Sequence, residues 1–445
     1  MESTRETVSM DEITALAKRR GFIFQSSEIY GGIGGFYDYG PLGAILKRNV
    51  KDAWWRDTVE LRDDVVGFDS SIIMHPLTWK ASGHVDAFHD RMVDCRVCKH
   101  RFRADHLKSP DQCPDCGSKN SFTDPRNFNL MMRTHVGPME DTASEAYLRP
   151  ETAQGIFVNF KNIYQTARKR PPFGIAQIGK SFRNEITPGN FTFRVREFEQ
   201  AELEYFVPDD GNDLEVFKDW VERRRTWYSD YGIKPDKLRF YELTPEERPH
   251  YAKAGIDVEY LFPWGWGELE SIAHRGTYDL DAHMQLSGKD LKFFDESSKR
   301  KYTPLLVESS AGVDRTTLTF LIDAYDDERS VDPNGKETQR IVMHFHPRIA
   351  PVQVAVFSLA RNKPELVSQA RAVEEKLRAL FRTQYDEGNI GQLYRRQDEI
   401  GTPFCLTVDY ETLEDRAVTV RHRDSMQQER IAIDALPAFL HAKMA

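Results

Sequence analysis

The sequence predicts an α+β fold: an antiparallel sheet flanked by helices, with a small cysteine-bearing insertion and a separate α/β unit toward the C-terminal end. Three observations predict it. Residues 173 to 206 read as two strands joined by Thr187-Pro188-Gly189-Asn190, a turn-like tetrapeptide, and hence as a hairpin. Residues 90 to 125 are polar, poor in long apolar periods and carry two C-x2-C pairs. After Pro347 the apolar runs VQVAVFSL, PFCLTVDY and RAVTVRHR alternate with a helical stretch around 363 to 383, the pattern of an α/β unit of about a hundred residues.

A chain of 445 residues is too long for one ordinary core, so two or three domains are expected. With 40% hydrophobic and 29% charged residues it falls in the globular class, and no run approaches the apolar length of a membrane helix. The first twenty residues carry charges of both signs and no apolar core, so a secretory signal is not expected and a cytoplasmic location is. Net charge is −9, which argues against coating nucleic acid through bulk charge but leaves room for a local basic surface.

The first strong element follows SSEIYGGIGGFYDYGP at 26 to 41, rich in Gly, Tyr and turn formers. Pro41 sits where a first helical residue often does, and Leu42, Leu46, Val50 and Trp54 then recur every four residues with Ile45 and Ala53 alongside. Lys47, Arg48, Lys51 and Asp52 fall off that stripe, and neither Lys47 nor Lys180 receives a role. Next come Cys95-x2-Cys98 and Cys113-x2-Cys116, fourteen residues apart, close to zinc-ribbon spacing. Four thiolates suit tetrahedral Zn2+, and four protein ligands leave no open position, so the metal is expected to be structural. Cys405 stands alone and reads as structural. Beyond the hairpin, 212 to 231 reads as helix and 235 to 262 as mixed, making 207 to 262 a possible second insertion.

The chemistry concentrates in the hairpin. In the run from Phe193 to Tyr205, alternation places Arg194, Arg196, Phe198, Gln200, Glu202 and Glu204 on one strand face, with Phe193, Val195, Ala201, Leu203 and Tyr205 largely on the other. The preceding strand adds Arg183 and Glu185. From Arg194 to Glu202 spans roughly 26 Å at about 3.3 Å per residue, room for a nucleotide beside an amino acid. Guanidinium groups suit phosphate oxygens, an aromatic ring stacks on a base, and carboxylates suit an ammonium. A rival reading comes from GIAQIGKS at 174 to 181, which matches a Walker A expression, with TFLID at 319 to 323 as a Walker B run. A P-loop needs strand, loop and then helix, whereas Phe182-Arg183 continues the strand and Leu318, Leu321, Ile322 and Tyr325 recur at helical spacing.

FRNE at 182 to 185, a loop and RVREF at 194 to 198 resemble motif 2 of the class II aminoacyl-tRNA synthetases. The Pro41 helix resembles motif 1, and AGVDRTTLTFLI at 311 to 322 resembles motif 3. Within class II, SSEIYGGIGGFYDYGPLG, LRPETAQGIF, EFEQAELEYF, GELESIAHRGTYDL and VESSAGVDR are similar to the glycyl-tRNA synthetases, over nearly the whole chain.

The resemblance implies a class II catalytic domain over residues 1–340 and an anticodon-binding domain over 345–445. It further implies ATP with Mg2+, glycine and tRNA(Gly) as reactants, a homodimer formed through motif 1, and no membrane. Arg183 and Arg315 would be catalytic. The ATP side would comprise Arg183, Asn184, Glu185, Phe193, Arg194, Val195, Arg196, Glu197, Phe198, Glu268, Leu269, Gly312, Val313, Asp314 and Arg315. The glycine side would comprise Arg103, Glu151, Phe198, Glu199, Gln200, Ala201, Glu202, Glu308, Ser309, Ser310, Ala311 and Gly312. Arg395, Arg396, Arg421 and Arg423 become candidate RNA contacts. A threonyl, prolyl or histidyl specificity and a non-catalytic nucleic-acid-binding relative are the alternatives; the latter would have lost Arg183, Arg194 and Arg315.

Overall fold

The computed structural model describes residues 8–104, 107, 109–139, 144–249, 251–331 and 337–444. Its first helix, α1 (Met10–Arg20), starts at a capping box in which Ser9 and Glu12 satisfy each other's backbone N–H groups. Helix α2 (Pro41–Trp55) follows, with Pro41 in its first turn and Leu46, Val50, Ala53 and Trp54 buried. At Gly43 an added Cβ would lie 1.7 Å from the Phe22 carbonyl oxygen, so only glycine lets the two backbones approach this closely.

The main sheet is built from β1 (Val65–Gly67), then, beyond a module described below, β5 (Phe173–Phe182), β6 (Glu197–Val207), β7 (Leu238–Glu242), β8 (Ala254–Phe262), β9 (Gly265–Gly276) and β10 (Leu305–Gly312). Between β1 and β5 lie β2 (His89–Asp94), β3 (Arg101–Arg103), β4 (Arg126–Asn129) and helix α3 (Ala153–Thr166). The seven strands run in the order β7-β8-β9-β10-β6-β5-β1, antiparallel throughout except for β1 beside β5. Residues 207 to 262 thus supply helix α4 (Asp213–Asp230) and two strands at the sheet's edge. Helices α5 (Tyr278–Ser287) and α6 (Val313–Ala324) complete the flanks.

Alternation divides the sheet's two faces. Ala201, Leu203 and Tyr205 of β6, with Ile272 of β9 and Val307 of β10, pack against α2, α4 and α6 in the largest core. The opposite face carries Gln200, Glu202 and Glu204, then turns apolar at Phe206, whose ring stacks on Phe160 of α3 with centroids 4.3 Å apart. Phe173, Ile175 and Leu306 complete that second core. Fully burying each such side chain contributes about 1.5–3 kcal/mol, so the charged stretch of this face is held between two apolar masses.

Two sequence readings resolve cleanly. The GIAQIGKS stretch is the body of β5, with no helix after it, and TFLID lies inside α6. The hairpin also starts later than alternation suggests: β6 begins at Glu197, and a 3-10 turn occupies Phe191–Phe193. Arg194 and Arg196 therefore sit in the connection, where Arg196 N donates to Gly35 O and Arg196 O accepts from Arg183 N.

A two-stranded ribbon, β11 (Tyr325–Val331) with β12 (Glu337–Met343), leads to the C-terminal unit. There β13 (Val354–Ser358), α7 (Pro364–Arg378), β14 (Thr383–Asp386), α8 (Ile390–Ile400), β15 (Phe404–Val408), β16 (Ala417–His422), β17 (Gln428–Ala432) and α9 (Leu436–Met444) form a five-stranded sheet with helices. Its order is β14-β13-β15-β16-β17, parallel around β13 and antiparallel from β15 onward. Two of the four arginines expected at an RNA surface are instead internal. Arg421 forms a bidentate pair with Asp398 at 2.8 and 3.0 Å, and Arg423 donates to Phe345 O and Gly401 O. Both are buried, because strand alternation turns them under α8 and the interdomain junction. Arg395 and Arg396, on α8, are exposed. No helix among the described residues is long and apolar enough to cross a membrane.

Candidate active site

A cavity of about 460 Å3 opens over the charged stretch of the main sheet. Its floor is β6, β10 and β9; its walls are the β5–β6 connection, the turn before α3, the start of α6, and the cysteine module. That module is a small sheet, β3-β2-β4, in which Asp90 and Arg103 pair at 3.1 Å and face the cavity. The four cysteine sulfurs lie within 4.8 Å of one another, with Cys95–Cys116 and Cys98–Cys113 at 3.7 Å. A tetrahedron with Zn–S bonds of about 2.3 Å has edges of about 3.8 Å, so this donor set fits zinc.

One end of the cavity is rich in arginine. Arg183 Nε donates to Pro150 O at 3.1 Å, and its guanidinium rests 5.2 Å from the Phe198 ring and 5.5 Å from that of Phe88. Its terminal nitrogens have no protein partner among the described residues. Arg194 approaches Glu185 at 3.6 Å. Arg315 is held by Phe193 O and by the backbone and carboxylate of Glu268. Burial lowers the Arg315 pKa, and the neighbouring guanidiniums of Arg183 and Arg194 lower it further against the pull of Glu268. Three cations pressing on one another, with two partly exposed carboxylates as partners, create an unmet demand for an anion.

The other end is rich in buried carboxylate. Glu202 accepts from Thr152 N at 2.9 Å, from the Thr152 hydroxyl and from Ser310 Oγ at 2.7 Å. Glu308 accepts from Arg275 at 2.7 Å. Glu151 lies 3.3 Å from His84 and accepts from Gln154 at 2.9 Å. Burial raises the Glu202 and Glu308 pKa values, and their carboxylate neighbours add to it. For Glu151 the raising effect of burial is outweighed by His84, Arg275 and the Gln154 amide, so its pKa is lowered. Glu204, opposite Glu308 across the strand pair, is fully buried with neither oxygen hydrogen-bonded. Burial first, then Glu308, pushes its pKa well up. Arg275 grips Asp279 through two bonds of 2.8 Å and so presents its remaining nitrogen to Glu308. An ammonium is the natural complement of this end.

Of the residues singled out from sequence, Arg103, Glu151, Arg183, Glu185, Phe193, Arg194, Val195, Phe198, Glu199, Gln200, Glu202, Glu268, Glu308, Ser310, Gly312, Asp314 and Arg315 line the cavity. Glu199 and Asp314 have carboxylates that turn to Lys47, at 2.8 and 2.7 Å, while Tyr39 and the Glu199 N–H also bond Asp314. Lys180, the other unassigned lysine, pairs with Glu197. Asn184, Arg196, Glu197, Ala201, Leu269, Ser309, Ala311 and Val313 do not line it. Ala201, Leu269 and Val313 belong to the core, Ser309 donates to Glu270 behind the sheet, and Arg196 props the connection against Glu185 O and Gly34 O.

The sequence reading missed Phe88, Asp90, Leu130, Thr192, Tyr251, Ser271 and Arg275. The last two owe their place to a β-bulge. The pairing of β8 with β9 shifts between Val258 and Glu259, so Glu268 faces the cavity while both Leu269 and Glu270 turn back. Glu270 is buried against Arg224 and Tyr228 of α4. Beyond the bulge Ser271 and Arg275 take the cavity face, where strict alternation from Glu268 would have put Glu270.

Comparisons with known proteins agree with this arrangement. The family model described as the tRNA synthetase class II core domain (G, H, P, S and T) matches residues 136–325. The model of an anticodon binding domain matches residues 353–443. A glycine–tRNA ligase of Thermobifida fusca is 52% identical, over 98% of both chains. One from Streptomyces coelicolor is 49% identical over 98% of both, and one from Treponema denticola is 52% identical over 95% of this chain and 94% of its own.

Proposed function

The chain belongs to the glycine–tRNA ligase family of class II synthetases, and from that membership we propose how its cavity performs the family's reaction. The enzyme uses ATP to form glycyl-adenylate and then joins glycine to tRNA(Gly). The observation that supports the site assignment is the cavity's polarity, guanidiniums at one end and buried carboxylates at the other.

In this reading ATP lies at the arginine end, with Arg183 on the α-phosphate, Arg194 and Arg315 on the outer phosphates, and Glu185 and Phe198 on the adenine. Glycine lies at the carboxylate end, its ammonium among Glu151, Glu202 and Glu308, its α-carbon near Ser310, and Arg103 on the same side. The glycine carboxylate attacks the α-phosphorus in line, the bond to the bridging oxygen breaks, and pyrophosphate leaves with the electron pair. No protein nucleophile is required; the gain comes from holding both reactants in register and from cations placed where charge develops. Mg2+ held on the Glu268 side would neutralise outer-phosphate charge. A ribose hydroxyl of the terminal tRNA adenosine then takes the glycyl group from the adenylate. Cys95, Cys98, Cys113 and Cys116 would hold a structural zinc. The catalytic domain spans residues 1–340 and the anticodon-binding domain 345–445. The protein works as a cytoplasmic homodimer joined across the α2 region, whose outer face exposes Ile45.

ATP–pyrophosphate exchange with each standard amino acid in turn tests the assignment. Exchange is expected with glycine alone and should fall about 10²–10³-fold in Arg183→Ala, the usual cost of one preorganised donor. Exchange with a different amino acid would discard the glycine pocket, and an unaffected Arg183→Ala variant would discard the phosphate assignment.

A further inference from the structure

We propose that Tyr251, carried by the connection between β7 and β8, is the residue that keeps a side chain off the amino acid. This rests on reading the carboxylate end as the glycine site. Carboxylates that grip an ammonium cannot tell glycine from alanine, because both amino acids present the same ammonium and carboxylate. Discrimination needs a wall standing where a Cβ would go, and a wall discriminates only if it cannot yield.

Tyr251 meets both requirements. Its ring centroid lies 4.1 Å from the Arg275 guanidinium, and that guanidinium is 2.7 Å from Glu308. Tyr251 lines the same cavity as Glu202, Glu308 and Ser310, so its ring and an ammonium held by Glu308 flank the one Arg275–Glu308 pair. The ring also stacks on Tyr278 at 5.8 Å and an interplanar angle of 30°. Tyr278 opens α5, and the next residue, Asp279, is the one that grips Arg275. Tyr251, Arg275, Asp279 and Tyr278 therefore close a ring of contacts, which fixes the wall from behind. Because the ring stands on one side of the pocket, it shields one of glycine's two α-hydrogens more than the other.

The experiment measures ATP–pyrophosphate exchange with glycine, L-alanine and D-alanine for the wild type, Tyr251→Phe, Tyr251→Val, Tyr251→Ala and Glu308→Gln. We expect Tyr251→Phe to keep wild-type selectivity. Tyr251→Ala, and to a lesser degree Tyr251→Val, should raise the alanine-to-glycine ratio of kcat/KM by about 10- to 200-fold, the usual worth of one methyl group, and for one enantiomer above the other. A ratio unchanged in variants that still exchange glycine overturns the proposal, as does an equal gain for both enantiomers, which is a loosened pocket rather than a missing wall. Glu308→Gln separates the two levels. If it keeps full glycine exchange, the glycine-site reading itself fails; if it loses exchange while Tyr251→Ala stays selective, the Tyr251 proposal alone fails.

Discussion

Replacing Lys47 by methionine removes the cation that joins α2 to the ends of β6 and α6. Lys47 is only 12% exposed and reaches Asp314 at 2.7 Å and Glu199 at 2.8 Å, themselves 7% and 14% exposed. Breaking a buried pair from one side costs about 3–5 kcal/mol, because the partner is left as an uncompensated charge. Here the loss is cushioned: Asp314 keeps Tyr39 and the Glu199 N–H, and Glu199 keeps Lys51 at 2.9 Å. We therefore expect about 3 kcal/mol, the low end of that range; at about 2.1 cal/mol/K per residue, a domain of roughly 340 residues then loses about 4 °C in Tm. The pH dependence adds a signature. Burial opposes ionisation of Glu199, but Lys47 and Lys51 win and its pKa is lowered. The wild type thus holds a stabilisation present above the ordinary glutamate pKa and lost as pH falls through the folded value. Burial likewise opposes Lys47 ionisation, while Asp314 and Glu199 raise its pKa, so its contribution is present below the ordinary lysine pKa and lost as pH rises past the folded value. Differential scanning calorimetry of both proteins from pH 3 to 9 should show a deficit that is flat through neutrality and shrinks below the ordinary glutamate pKa. A Tm within about 1 °C of wild type at pH 7.5, or a deficit that grows in acid, would refute this account of the cluster.

Two further outcomes follow from the same contacts. Glu204 carries a raised pKa and no partner, so the wild type loses stability as pH rises from the ordinary carboxylate range toward the folded value. Glu204→Gln should melt higher at pH 8, by about 1–2 °C for each kcal/mol relieved, and the gap should close toward pH 5; a gap of constant size would show that ionisation is not the cause. Stripping metal with a chelator, or Cys113→Ser, should open residues 95–125 to limited proteolysis and raise the KM for glycine, since Asp90 and Arg103 of that module line the cavity. Unchanged KM in metal-free protein would separate the module from the site.

Much of this was legible in the residues. Four-residue spacing from Leu42 to Trp54 foretold α2, and alternation along β6 put Glu202 toward the site and Leu203 into the core. What escaped has identifiable causes. Arg275 reaches the cavity face only past a bulge that no pattern in the sequence announces. Asp90 and Tyr251 reach the cavity from segments distant in sequence, where local pattern carries no signal. Lys47 fell outside the apolar stripe of α2 and received no role, yet its ammonium is buried against two carboxylates. Arg421 and Arg423 looked like surface cations because nothing nearby in sequence names Asp398 or the Phe345 carbonyl as partners.

Strand β6 interleaves oil and charge residue by residue, so its reading frame is its function. Deleting one residue between Gln200 and Tyr205 would send carboxylates into the apolar core and leave Leu203 where substrate is gripped. No single compensating substitution repairs such a shift, since every position downstream changes sides at once. A change of length is therefore better borne by a loop, such as that around Thr187 to Asn190, while the strand itself tolerates replacement but neither insertion nor loss.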